Sequence, residues 1–255
     1  MTDAPTPLDA AHLRAEATGE PSDRLAFWAR LAEAELSLLL EAPQDGERVR
    51  PRLFEVDGAR YALAFDRPDR LAAFAGAAPT ATLSGRSLAR LLAAEGLGLG
   101  LNLEDAPSAQ MIGADALRWL AEAVAAAPVE DAARIESVGP PGALPDALLV
   151  ALDAKLPAMA GLARTAYLAG VRYEGGARGH VLAFVDPVPG SDGDLARAVN
   201  EALVFSGLDA GALDVTVVRR SDPLAAALAR HGLRIEIEPP EPEAPAAPDG
   251  PPRLR

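Results

Sequence analysis

Four side chains within seven residues, Thr80, Thr82, Ser84 and Arg86, are those whose types and spacing could do chemistry together. Hydroxyls, the open N–H groups of a helix start and one guanidinium suit the binding of a small anion. Ser84 also suits the ordinary role of capping the helix that follows it, its oxygen accepting a first-turn N–H. Elsewhere the reactive residue types do not converge. His12, His180 and His231 lie far apart, with no second histidine or carboxylate at a metal-ligand helical spacing, so no metal site is expected. The single lysine, Lys155, has no preceding glycines and belongs to no phosphate loop. Carboxylate pairs such as Glu104-Asp105 and Glu130-Asp131 are ordinary loop chemistry in an acidic chain, and no serine lies in a G-x-S-x-G elbow. Neither a catalytic residue nor a cofactor is expected.

The run Gly96-Leu97-Gly98-Leu99-Gly100-Leu101-Asn102 has the glycine density of a dinucleotide loop, but it follows a helix where such a loop must precede one. Gly96 therefore reads as a helix stop, and Gly98 and Gly100 as strand positions that leave one face bare for a close neighbour.

The elements that would position these residues are of mixed type. Residues 1–21 read as a flexible arm, with at most a short helix from Leu8 to Ala17. Ser22 or Asp23 can cap a helix carrying Leu25, Trp28 and Leu31 at helical period. The apolar run Leu36 to Leu40, and the segments Leu53 to Asp57 and Tyr61 to Phe65 around the turn Asp57-Gly58, read as strands. Helices are expected over Arg67 to Phe74, from Ser84 to Gly96 and over Ala114 to Ala126, with a strand at Leu97 to Leu101 between the last two. A first domain is thus predicted over 22–128.

A second domain is predicted over 134–238. It would hold helical segments from Ala147 to Leu168, strands at Val171 to Glu174 and His180 to Asp186, a helix at Asp194 to Phe205, a strand at Leu213 to Val218, a helix after Asp222-Pro223 and a last strand at Leu233 to Ile237. Residues 239–255, rich in proline and charge, are expected to be a disordered tail. Strands and helices mixed without strict βαβ alternation predict an α+β fold in both halves.

The chain of 255 residues is 49% hydrophobic, ample for sizeable cores, and carries a formal charge of −13. That charge repels phosphate backbones and anionic lipid, so neither nucleic acid nor membrane is expected as a partner. No apolar run approaches the ~18 residues of a spanning helix, and the start MTDAPTPLDAAHLRAEA lacks the basic and apolar regions of an export signal. With no cysteine as well, a cytoplasmic bacterial protein is the expectation. The leucine-rich region around Ala114 to Ala127 leaves homo-oligomerisation open.

The segments Phe74-Ala75-Gly76, Leu83-Ser84-Gly85-Arg86-Ser87-Leu88-Ala89, Gly96 to Asn102 and Ala106-Pro107-Ser108 resemble the N-terminal domain of the SseB family, over about residues 22–127. Asn200-Glu201-Ala202-Leu203, Phe205-Ser206-Gly207-Leu208 and His231-Gly232-Leu233-Arg234 are similar to the companion SseB C-terminal domain. The family is named for enhanced serine sensitivity and has no established catalytic residues to carry over. Two compact domains without a reactive cluster, with an acidic surface and tail available to partners, point to a non-catalytic protein-interaction or regulatory module whose partner is another protein. The alternative is a sensor of a small anion or amino-acid metabolite, bound at Thr80, Thr82, Ser84 and Arg86.

Overall fold

The computed structural model describes residues 5–44, 49–125, 134–207 and 213–238. Within them the chain is α+β, with two mixed sheets and eight helices.

The first sheet grows from a hairpin. Asp57 and Gly58 both take positive φ, 52° and 79°, as a two-residue turn matched to strand twist requires, and they join β2 (Leu53–Val56) to β3 (Ala59–Phe65). β1 (Glu35–Leu39) pairs antiparallel with the far end of β3, and β4 (Thr80–Ser84) pairs antiparallel with β1. β5 (Gly98–Leu101) runs parallel to β3, and β6 (Gln110–Ile112) closes the order β4-β1-β3-β5-β6. Both faces are covered, which the two-residue period of a strand makes visible: Leu36, Leu38 and Leu40 enter one cluster and Leu39 another. Packed over the first face are α1 (Pro7–Thr18), α2 (Pro21–Glu33), α4 (Gly85–Ala94) and α5 (Ala114–Ala125); α3 (Pro68–Ala75) covers the second through Leu71.

The glycines of β5 do what a bare face allows. A Cβ on Gly98 would lie 2.3 Å from the Tyr61 ring, and one on Gly100 would lie 2.5 Å from Leu63, both on the neighbouring β3. Their absent side chains let the rings and branches of β3 lean across.

The second sheet has the order β10-β9-β8-β11, with β7 also on β8. Its strands are β7 (Ile135–Gly139), β8 (Thr165–Tyr173), β9 (Arg178–Val185), β10 (Asp214–Val218) and β11 (Leu233–Glu236). α6 (Asp146–Met159) and α7 (Asp192–Ser206) bury Leu148, Leu152, Leu195 and Val199 against one face. α8 (Pro223–His231) covers the other with Ala225 and Leu228.

Several expectations give way. The helical reading to Leu168 fails because Gly161, at φ 89°, breaks the chain after α6 and β8 starts at Thr165. Thr80 to Ser84 is a strand where a helix start is expected, and β6 and β7 match no expected strand. α2 begins at Pro21, ahead of Ser22 and Asp23, and Asp23 pairs with Arg14 instead of capping. The short helix expected at Leu8 to Ala17 forms as α1, but it is not part of a loose arm: it buries Leu8 and Ala15 and is pinned by the fully buried Asp9. The predicted disordered tail, 239–255, lies outside the described residues. Among those described, no helix is long and apolar enough to cross a membrane.

Candidate functional site

Thr80, Thr82, Ser84 and Arg86 are not brought together around an open helix start. Thr80 and Thr82 are exposed within β4, opposite Leu39 and Ser37 of β1, so their backbone belongs to a strand ladder. Ser84 is the cap of α4, its hydroxyl accepting from the Ser87 N–H at 3.4 Å and lying 2.9 Å from the Ser87 hydroxyl. The helix start is also occupied: the Gly85 N–H donates to the Ala34 carbonyl at 2.8 Å, and a Cβ on Gly85 would fall 1.7 Å from the Leu31 carbonyl oxygen. The end of α2 thus sits where an anion would have to enter. Ser84→Ala should cost about 1 kcal/mol in denaturant unfolding and nothing more, as the loss of a cap does.

Arg86 is engaged elsewhere. Its guanidinium makes a two-pronged contact with Glu201 of α7, Nη1 to Oε1 at 2.9 Å and Nη2 to Oε2 at 3.2 Å. Glu201, 2% exposed, also accepts from Lys155 Nζ of α6 at 2.7 Å. Lys155, 3% exposed, reaches Glu33 of α2 at 2.7 Å. An alternating chain Arg86–Glu201–Lys155–Glu33 therefore crosses twice between the elements of the first sheet and those of the second. The Lys155 ammonium also lies 5.8 Å from the centroid of the Phe205 ring. From within α7 the Phe205 ring reaches the hydrophobic cluster over the first sheet, where Trp119 meets it edge-on at 6.3 Å.

Beside this chain the two halves leave a cleft of about 550 Å³, between α1 and α2 on one side and α6 and α7 on the other. Eight of its eighteen lining residues are alanine, among them Ala10, Ala26, Ala29, Ala151 and Ala154, and Lys155 and Phe205 line it as well. That volume is within the range of ligand sites. Of the charged groups around it, Arg14 pairs with Asp23 at 2.7 Å, Lys155 with Glu33 at 2.7 Å and Arg30 with Glu33 at 3.6 Å, while Asp146 stands exposed at the start of α6. At the rim Val150 stands 67% exposed. The cleft offers shape and apolar surface.

A second polar cluster serves the fold. The Asp9 carboxylate accepts from Arg70 Nη2 at 2.5 Å and Nη1 at 3.2 Å, from the Ser108 hydroxyl at 2.6 Å and N–H at 3.2 Å, and from the Thr6 N–H at 3.0 Å. Burial alone would push this carboxyl up. The Arg70, Ser108 and Thr6 donors outweigh it and hold the group far below the ordinary carboxylate range. Asn102, at φ 46°, donates to the Ser108 hydroxyl at 2.8 Å and accepts from the Asp66 N–H, and Asp66 pairs with Arg70. Asn102 and Ser108 fall in the segments that carry the family resemblance, and here they fasten α1 to the first sheet.

Sequence reasoning passes over Lys155 and Asp9, though each leaves a trace. Lys155 lies on the same stripe of α6 as Leu148, Leu152 and Met159, a run of positions spaced four, three and four apart that marks a buried face. Thr6 and Asp9 have capping-box spacing. The histidines remain apart, His12 on α1 against Phe27, His180 in β9 and His231 at the end of α8. Among the described residues no group of three or more metal-ligating side chains forms. Compared with family models, curated proteins and solved structures, the chain finds no match in any of the three.

Proposed function

We propose that the chain is a non-catalytic, cytoplasmic interaction protein of the SseB type, which receives an apolar segment of a partner protein in the alanine-walled cleft. The observation that carries this reading is the cleft itself. Small side chains let another backbone approach closely, and the strongest charges near it are already paired. A reactive site would need groups free to act on a substrate. The ion chain supports the same reading, because it holds both walls of the cleft in one relative position and so preorganises it. An anion at Thr80 to Arg86 would have to take Arg86 from Glu201 and displace the end of α2.

A photo-crosslinking residue at Val150, introduced into the full chain in living cells, tests this. The expected result is a discrete adduct with one protein that vanishes when Ala151→Arg blocks the cleft. No adduct at position 150, or the same adducts from a probe at the distant exposed Leu233, would defeat the reading.

A further inference from the structure

We infer that the outer end of the β7–β8–β9 face is a binding site for a phosphate dianion, as carried by a small phosphate monoester. The register places the groups. Ser137 pairs with Arg172, and Arg172 pairs with Arg178, so these three side chains share one face in a row across three strands. In the next row Gly139 pairs with Gly170, and Gly170 with His180. Two guanidiniums, an imidazole and a hydroxyl thus stand together over glycine backbone.

The face is bounded as a groove of about 650 Å³. Further along, the same face is buried, with Ala166, Leu168, Leu182 and Phe184 beneath α6 and α7. The loop after β7 makes the remaining wall: a Cβ on Gly170 would lie 2.7 Å from the Pro140 carbonyl oxygen, and one on Gly142 would lie 3.2 Å from His180 Nε2. The Pro140 backbone covers Gly170 itself, so the open part of the groove lies over the exposed row of Ser137, Arg172 and Arg178.

The charge arrangement is unfavourable without an anion. Like charges directly opposite on antiparallel strands destabilise a sheet. The chain has 37 acidic residues against 24 Lys and Arg, yet among the described residues no carboxylate lines this groove. Among the described residues the guanidinium of neither Arg172 nor Arg178 makes a hydrogen bond or ion pair. Asp214 is on the opposite face, where it takes the Tyr173 hydroxyl. Paired guanidiniums match phosphate oxygens in geometry and charge, and a dianion between them turns the repulsion into attraction. A site of this kind draws one phosphate to a local cationic patch, even though the molecule as a whole is anionic.

Titration calorimetry of the full chain at constant ionic strength tests this, with inorganic phosphate and phenyl phosphate as probes and chloride as the reference salt. The expected result is saturable one-to-one binding of both, weakened at least tenfold by Arg172→Ala and by Arg178→Ala. Arg178→Glu supplies an independent readout, because it places opposite charges across the strands: in phosphate-free buffer it should raise the thermal midpoint while abolishing the response to phosphate. No binding to the wild-type chain overturns the proposal, as does binding that survives both alanine variants. A lower midpoint for Arg178→Glu removes its electrostatic basis. Binding of inorganic phosphate with a tenfold loss for phenyl phosphate overturns the monoester class in favour of the free ion.

Discussion

Lys155→Ala is expected to remove about 3–5 kcal/mol of unfolding free energy, because it leaves the buried Glu201 and the partly buried Glu33 without their shared ammonium. The two carboxylates come from opposite sides of the cleft. Losing the cation between them unseats α6 and α7 from α2 as well as weakening the second half. Arg86 softens the loss at Glu201, since its two-pronged contact remains. Guanidinium unfolding at neutral pH, followed by tryptophan fluorescence, measures the change. The companion double variant Lys155→Met with Glu201→Gln takes both buried charges away together. It should recover the part of the loss that arises at the buried Glu201, since the penalty there lies in the orphaned charge and not in the absence of a bond, while Glu33 and Arg86, both partly exposed, turn to solvent. If Lys155→Ala costs less than ~1 kcal/mol, the ion chain is not what joins the halves. If the double variant is as unstable as the single one, the loss is one of packing, for the four-carbon stem of Lys155 lines the cleft beside Phe205.

The second large effect is predicted at Asp9. Asp9→Asn should cost about 3 kcal/mol at pH 7, as a fully buried carboxylate that pairs with Arg70 and takes the Ser108 donors is replaced by a neutral amide. The pH dependence follows from the direction of the shift. The folded state holds the Asp9 carboxyl below its ordinary value of 3.8. The stabilisation is therefore complete above the unfolded value, at neutral and mildly acidic pH. It is lost as pH falls below about 4 and on through the depressed folded value. The stability difference between wild type and Asp9→Asn should accordingly be flat from pH 7 to 5 and shrink steadily below 4. A difference that stays constant down to pH 2.5 would show that ionisation of Asp9 contributes nothing. α1 should be the element most affected, and hydrogen exchange of its amides in Asp9→Asn reports that directly.

Much of the architecture is legible in the sequence. The Asp57-Gly58 hairpin, the leucine stripes of α4 and α5, the Ser84 cap and the glycine strand β5 all follow from local spacing and are found where that spacing puts them. The failures are also physical. β4, with its short Thr-Ala-Thr-Leu run, gains its strand character from β1 beside it. The start of β8 is rich in alanine, which carries no strong strand preference, and only its alternating burial against α6 and α8 settles its state.

The candidate site was far less legible. Arg86 looks like a free cation in its own segment, but its partner is 115 residues away. Asp9 looks like part of a loose arm, but it meets Arg70 and Ser108 at separations of 61 and 99 residues. Polar residues declare their type in the sequence and their partner only in the fold.

By itself, then, the sequence determined an α+β chain with a helical and strand grammar strong enough to set most elements, and without thiol chemistry. Those properties depend on residue type and on spacing of a few positions. Only the tertiary structure decided that the one lysine lies buried between two carboxylates, and that Thr80 to Arg86 does not form an open helix start. It also decided that Arg172 and Arg178 face each other on one side of a sheet. The reason is that charge energetics depend on distance in space and on burial, and both are set by how the two sheets and their helices close on one another.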